Sequence, residues 1–202
     1  MNFPIKQRYP VLLVHGISDT QTVFKRIASY LRNHGWAVYA LDLVPNNGAI
    51  ALDKLAQQIA DYIADKFEPN QPLDLVGFSM GGLVSRYYVQ RLGGIDRIKR
   101  FVTISSPHKG TFLAFASNLP GCVQMRPNSA FLQDLNSDVQ ILKRLNFTSI
   151  WTPYDLMILP ASSSSLSHLN IGKEITIPVA LHSWMLKDSR ILAALAETLT
   201  SF

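Results

Sequence analysis

Cysteine is almost missing from this chain: Cys122 stands alone among 202 residues. A single thiol excludes an internal disulfide and cannot make a cysteine-based metal site. Its neighbours Pro120, Gly121 and Gln124 offer no adjacent base, so it reads as a plain buried thiol and not as a nucleophile. Charge is sparse as well, with 16% charged residues against 48% hydrophobic ones, which excludes general disorder. No apolar run approaches the roughly 20 residues that a membrane-crossing helix needs. The segment Met1–Arg8 has no apolar core and carries its charges after its few apolar residues, so no secretory signal and a cytoplasmic location are expected. A basic stripe with interleaved aromatics is also missing. The 19 Lys+Arg and 14 Asp+Glu give +5, and the one small basic cluster is Arg97, Lys99 and Arg100. Nucleic acid is therefore not an expected partner. A transient contact with an anionic lipid surface is compatible with this charge. No metal or cofactor is expected.

What is present is alternation. Tyr9–Gly16, Trp36–Leu43, Leu73–Val76, Ile98–Ile104, Leu145–Thr152 and Ile175–Leu181 read as buried strands. Between and after them, helical periodicity marks Thr20 or Gln21 to His34, about Ala51 to Phe67, the stretch after Ser79 up to Gly93, and Asp188 or Ser189 to about Leu199. Strands alternating with helices predict an α/β fold, a parallel sheet with helices on both faces, in a single domain over 1–202. From Gly110 to about Asn146 the pattern breaks at Pro120, Gly121, Pro127 and Asn128, with a helical piece at Ser129–Leu135. A connection of this length suggests a small lid or a pocket wall.

The stretch Leu73-Asp-Leu-Val-Gly-Phe-Ser-Met-Gly-Gly82 places Ser79 where a strand turns sharply into a helix. Gly77 and Gly81 flank it at two residues on either side. So tight a turn strains the serine backbone and presses its neighbours together, so these positions must lack a Cβ. A serine hydroxyl becomes a nucleophile when a base takes its proton, and the base is normally a histidine held by a carboxylate. Catalytic groups in such sheets lie on loops after strand ends, which selects His182 after the last strand. His34 and His168 are placed less well. His108 also follows a strand, but leaves little room for an acid between it and Ser79 in the order nucleophile, acid, histidine.

For the acid, Asp155 lies past the strand ending near Trp151. Asp134 and Asp138 read as solvated charges or caps, Asp42 precedes the serine, and Asp74, in the middle of its strand, reads as locally paired. An oxyanion hole needs two backbone N–H groups. Met80 supplies one at the start of its helix, and Ile17, in the glycine loop after the first strand, the other.

On Val14-His-Gly-Ile17, Val76-Gly-Phe-Ser-Met-Gly-Gly82, Ser105-Ser-Pro-His-Lys-Gly-Thr111, Gln124-Met-Arg-Pro-Asn-Ser-Ala-Phe-Leu132, Thr152-Pro-Tyr-Asp155 and Leu181-His182, the chain resembles α/β-hydrolases. More narrowly, it resembles the small bacterial triacylglycerol lipases and esterases. The resemblance implies a three-layer fold with a shortened, mostly parallel sheet of about six strands. It also implies Ser79, Asp155 and His182 as a triad, with Ile17 and Met80 as oxyanion donors and His108 as a structural residue. Phe78 departs from the pattern, standing where many lipases have histidine. The expected activity is hydrolysis of a small-molecule ester or lipid through an acyl-enzyme. Thioesterase, phospholipase and acyltransferase activities are alternatives on the same machinery, and a non-catalytic binding protein is the alternative outside it. Apolar residues of the broken segment, among them Phe112, Leu113 and Met125, are expected to contact an acyl chain, each CH₂ of which gains about 0.8 kcal/mol on burial.

Overall fold

The computed structural model describes residues 8–200. The start of the segment read for a targeting signal, residues 1–7, lies outside them. Six strands form one sheet: β1 Val11–Val14, β2 Val38–Leu41, β3 Leu73–Phe78, β4 Ile98–Ile104, β5 Asn146–Trp151 and β6 Lys173–Thr176. Their order is β2-β1-β3-β4-β5-β6, and every neighbouring pair is parallel. Among the described residues the α-helices are α1 Lys25–Asn33, α2 Leu52–Lys66, α3 Met80–Arg91, α4 Gly94–Arg97, α5 Pro120–Gln124, α6 Ala130–Ser137 and α7 Ser189–Thr198.

Alternation of side chains across the pleat divides the core in two. Leu12, Val14, Leu73 and Leu75 face one side, where Leu55, Ile59, Leu83 and Val84 of α2 and α3 cover them. Val11, Leu13, Val76 and Phe78 face the other, against Ile27 and Leu31 of α1 and Ile191 and Leu195 of α7. The chain therefore has the three layers of a shortened α/β-hydrolase fold.

Topology sets the position of the site. After β1 the chain runs to β2 on one flank, then returns to place β3 on the other flank of β1. The loops leaving the C-terminal ends of β1 and β3 diverge there, and such a switch point opens a crevice. The glycine loop after Val14 and the turn at Ser79 both lie at this point.

Two expectations are corrected. The last strand is Lys173–Thr176, not Ile175–Leu181. The Ile177 N–H still reaches the Trp151 carbonyl at 2.9 Å, but Pro178 has no N–H to continue the ladder. Beyond it, the Thr152 hydroxyl accepts from the Val179 N–H at 3.1 Å and donates to the Val179 carbonyl at 2.8 Å. The broken segment is the second case. Its Met125, Phe131, Leu132, Leu135 and Leu142 are buried in the core on the α2–α3 side of the sheet. Among the described residues no helix is long and apolar enough to cross a membrane.

Candidate active site

Ser79 takes the tight turn that its flanking glycines predict. Its φ of 53° and ψ of −125° put a residue with a side chain in the left-handed half of backbone space, which costs about 1–3 kcal/mol. The Ser79 N–H extends the β3–β4 ladder to the Ile104 carbonyl at 2.9 Å, and the Gly82 N–H returns to the Ser79 carbonyl at 3.0 Å. A Cβ on Gly77 would stand 2.5 Å from the Gly82 Cα, and one on Gly81 would enter the Val14 and His15 carbonyls. Both glycines are thus required by close approach of backbone to backbone.

The glycine loop presses on the serine. A Cβ added to Gly16 would lie 3.0 Å from the Ser79 Cβ and 3.2 Å from the Asp19 carboxylate. His15 anchors this loop from inside the core. Its Nδ1–H donates to the Gly16 carbonyl at 2.8 Å, and its Nε2 accepts from the Leu43 N–H at 2.9 Å. Ile17 follows and lines the cavity that holds Ser79. Met80 opens α3, so its N–H is among the first donors of the helix, which have no intrahelical acceptor.

Asp155 and His182 come together. The His182 Nδ1 and the Asp155 Oδ2 are 2.7 Å apart. The other oxygen, Oδ1, accepts from the Met157 N–H at 2.9 Å and the Ile158 N–H at 3.0 Å. Buried at 3% exposure, the carboxylate spends its acceptors on two backbone donors and one imidazole. The bond to Asp155 leaves Nε2 as the second ring nitrogen, and His182 lines the same cavity as Ser79. Phe78 packs on the imidazole with ring centroids 4.7 Å apart and a 35° tilt.

The other candidates are engaged elsewhere. His108 is fully buried between the Thr103 hydroxyl at 3.0 Å and the Arg86 guanidinium at 3.5 Å. Burial, then the charges of Arg86 and Lys109, holds its pKa well below the ordinary histidine value, so it stays neutral. Asp74 is paired locally, with Arg100 on the neighbouring strand at 2.9 Å. Asp134 and Asp138 form ion pairs with Arg91 at 3.0 and 2.7 Å and are not simply solvated. Asp42 accepts from the backbone and side chain of Gln21. Cys122 is buried, where a Cβ on Gly48 would meet its sulfur at 3.0 Å.

The cavity over Ser79 has a volume of about 830 Å³. Phe112, Leu113 and Met125, expected to contact an acyl chain, do not line it, nor does any residue of 110–146. Met125 is buried in the core, while Phe112 and Leu113 are exposed. The apolar lining comes instead from Val23, Phe78, Leu156, Met157, Leu181 and Leu186. Leu156 and Met157 follow the Asp155 carboxylate, and Leu181 precedes His182. The rule that places catalytic groups after strand ends also places their sequence neighbours there, a signal that was available in the sequence. Among the described residues no group of His, Cys, Asp and Glu side chains is arranged to hold a metal ion.

Comparison with solved structures supports the fold. Aspergillus fumigatus lipase B superposes with a TM-score of 0.80 at 18% identity, over 96% of this chain and 53% of that one. Bacillus licheniformis lipase BlEst2 in mature form superposes at 0.69 and 16% identity, over 98% and 95% of the two chains. In sequence, a triacylglycerol lipase of Pseudarthrobacter phenanthrenivorans is 29% identical over 53% of this chain and 35% of its own length. Palmitoyl-protein thioesterase 3 of Dictyostelium discoideum is 24% identical over 55% of this chain and 40% of its own. The chain thus spans well under half the length of these two relatives. Residues 10–125, more than half of the chain, match the palmitoyl protein thioesterase family model, and the chain belongs to that family.

Proposed function

We propose that this chain is a serine hydrolase that cleaves apolar acyl esters through an acyl-enzyme on Ser79. One observation carries the reading: the strained serine and a carboxylate-anchored histidine line one largely apolar cavity. In the proposed reaction His182 Nε2 takes the Ser79 proton as the hydroxyl attacks the acyl carbonyl. Asp155 holds the ring by its Nδ1–H and stabilises the imidazolium that forms. The Met80 and Ile17 N–H groups receive the oxyanion, where two donors aimed at the developing charge are worth several kcal/mol together. The imidazolium then protonates the departing alcohol. In the second half-reaction His182 deprotonates a water, which attacks the acyl-enzyme and releases the acid.

A second reading replaces the ester by a thioester, and the family match favours it. Serine, histidine and carboxylate act in the same order, and the leaving group is a thiol. The test is hydrolysis of p-nitrophenyl esters and N-acetylcysteamine thioesters of graded chain length by the parent protein and by Ser79→Ala. Loss of at least about 10³-fold in kcat with an unchanged fold is expected. Undiminished turnover in the variant would overturn the assignment, and the ratio of ester to thioester rates decides between the two readings.

A further inference from the structure

Charge is distributed unevenly around the cavity over Ser79. Besides its apolar residues it is lined by Lys25 and Arg26, from the first turn of α1, and by Lys187, just past the turn His182–Leu186. All three are exposed, and among the described residues none of them forms an ion pair. The acid next to Lys187 in the chain, Asp188, is already engaged. Its Oδ2 accepts from the Arg190 guanidinium at 2.7 Å, and its Oδ1 from the Arg190 backbone N–H at 2.9 Å.

One carboxylate, Asp19, also lines the cavity, but it is set against Gly16. Burial raises its pKa, while His15 and His182 draw it down, so its charge is felt at the histidines.

Three cations from two separate elements thus line one opening against the single carboxylate of Asp19, and among the described residues none of the three is held in an ion pair. An acyl chain has no charge for them to meet, so they address the other half of the substrate. A phosphate suits such a group better than a single carboxylate. A phosphomonoester carries about −1.5 to −2 charges and three acceptor oxygens, and a phosphodiester keeps one full charge and two free oxygens, so the planar Arg26 fork matches two oxygens of either while the lysines share the charge.

We propose that the alcohol or thiol half of the substrate bears phosphate, held at the mouth by Lys25, Arg26 and Lys187 while the acyl chain lies on Phe78, Leu156, Met157 and Leu186. This inference rests on the acyl-hydrolase reading for the roles of the two halves. The phosphate has two sources, a soluble thioester such as a coenzyme A derivative or a phospholipid headgroup.

The test measures binding of probes that cannot be hydrolysed. S-decyl-coenzyme A and the neutral thioether S-decyl-N-acetylcysteamine are titrated calorimetrically at low and at 0.5 M salt. Vesicles of ether-linked phosphatidylglycerol and of ether-linked phosphatidylcholine, which have no acyl ester to cleave, are compared by co-sedimentation. Each is repeated with Lys25→Ser/Arg26→Ser/Lys187→Ser, whose melting curve reports that it folds, and with the single variant Lys187→Glu.

The expected result is a preference of about tenfold or more for the anionic probe over its net-neutral counterpart, falling at high salt and lost in the triple variant. A preference for the coenzyme A thioether assigns the phosphate to a soluble thiol. A preference for phosphatidylglycerol assigns it to a headgroup. Equal binding of charged and neutral probes, or a preference that survives in the triple variant, would overturn the proposal. None of the four probes reacts, so the outcome does not depend on Ser79 being the nucleophile, and the Ser79→Ala assay stands or falls separately.

Discussion

Each hydrogen bond to Asp155 constrains the imidazole beside it. Two backbone donors fix Oδ1, and that leaves Oδ2 aimed at His182 Nδ1 at 2.7 Å. Asp155→Asn keeps the shape but presents an amide that can hold the wrong tautomer. A fall in kcat of about 10³–10⁴ is expected with little change in melting temperature, checked by steady-state kinetics beside a thermal melt. Phe78 acts on the other side of the ring. With centroids 4.7 Å apart, it limits how far the imidazole can turn. Phe78→Ala should lower kcat by about tenfold or more while the Asp155 contact survives, and Phe78→Tyr should restore most of the rate. Equal losses in both variants would show that the ring has no positioning role.

At the same scale the sequence is informative about which polar groups the fold brings to one cavity and poor about the shape of that cavity. Ser79, Asp155 and His182 could be singled out because chemical type, chain order and position after a strand narrow the choices together. The acyl-contacting residues could not, since Phe112, Leu113 and Met125 were selected for apolarity alone. Apolarity does not separate a side chain in a cavity wall from one buried under α2 and α3, as Met125 is, or left exposed, as Phe112 is. The long connection carried the same ambiguity, because its hydrophobic residues complete the core instead of roofing the serine.

Among the elements, the ends were harder to read than the middles. The last strand was displaced because Ile175–Leu181 is apolar and β-branched, and that pattern does not show that Pro178 and the Thr152 side chain take over from the ladder. Helix α7, by contrast, begins where its cap says. Asp188 accepts from the Arg190 N–H, and the Arg190 guanidinium holds its carboxyl down to about 2. Asp188→Ala should cost about 1 kcal/mol, measured by urea unfolding at pH 7. The folded-state pKa lies below the ordinary value of 3.8, so the contribution is present above about pH 4. It fades as pH falls through about 2, and the gap between parent and variant should close over that window. The elbow is less tolerant: Gly81→Ala should abolish soluble folded protein or activity, because the added methyl enters two carbonyls of the β1 end.

In the whole molecule, Arg86 links α3, the helix that follows Ser79, to the long connection. It is fully buried in α3, donating to the Leu135 carbonyl at 2.7 Å, the Asn136 side chain at 3.0 Å and Gln90 at 3.0 Å. Burial pulls its pKa down to about 9, so it stays charged at neutral pH. Arg86→Ala strands those acceptors and opens a void. A loss of about 3 kcal/mol or more is expected by chemical denaturation. The backbone at Ser79 has the opposite sign. A φ of 53° is a conformation that glycine adopts at little cost and serine does not. Ser79→Gly should therefore be more stable than Ser79→Ala by about 1 kcal/mol, after allowing for the greater freedom glycine has when unfolded. The fold is then held short of its own stability maximum at the very residue proposed for its chemistry. A lineage released from catalysis would be expected to drift toward glycine there before any other position of the elbow changed.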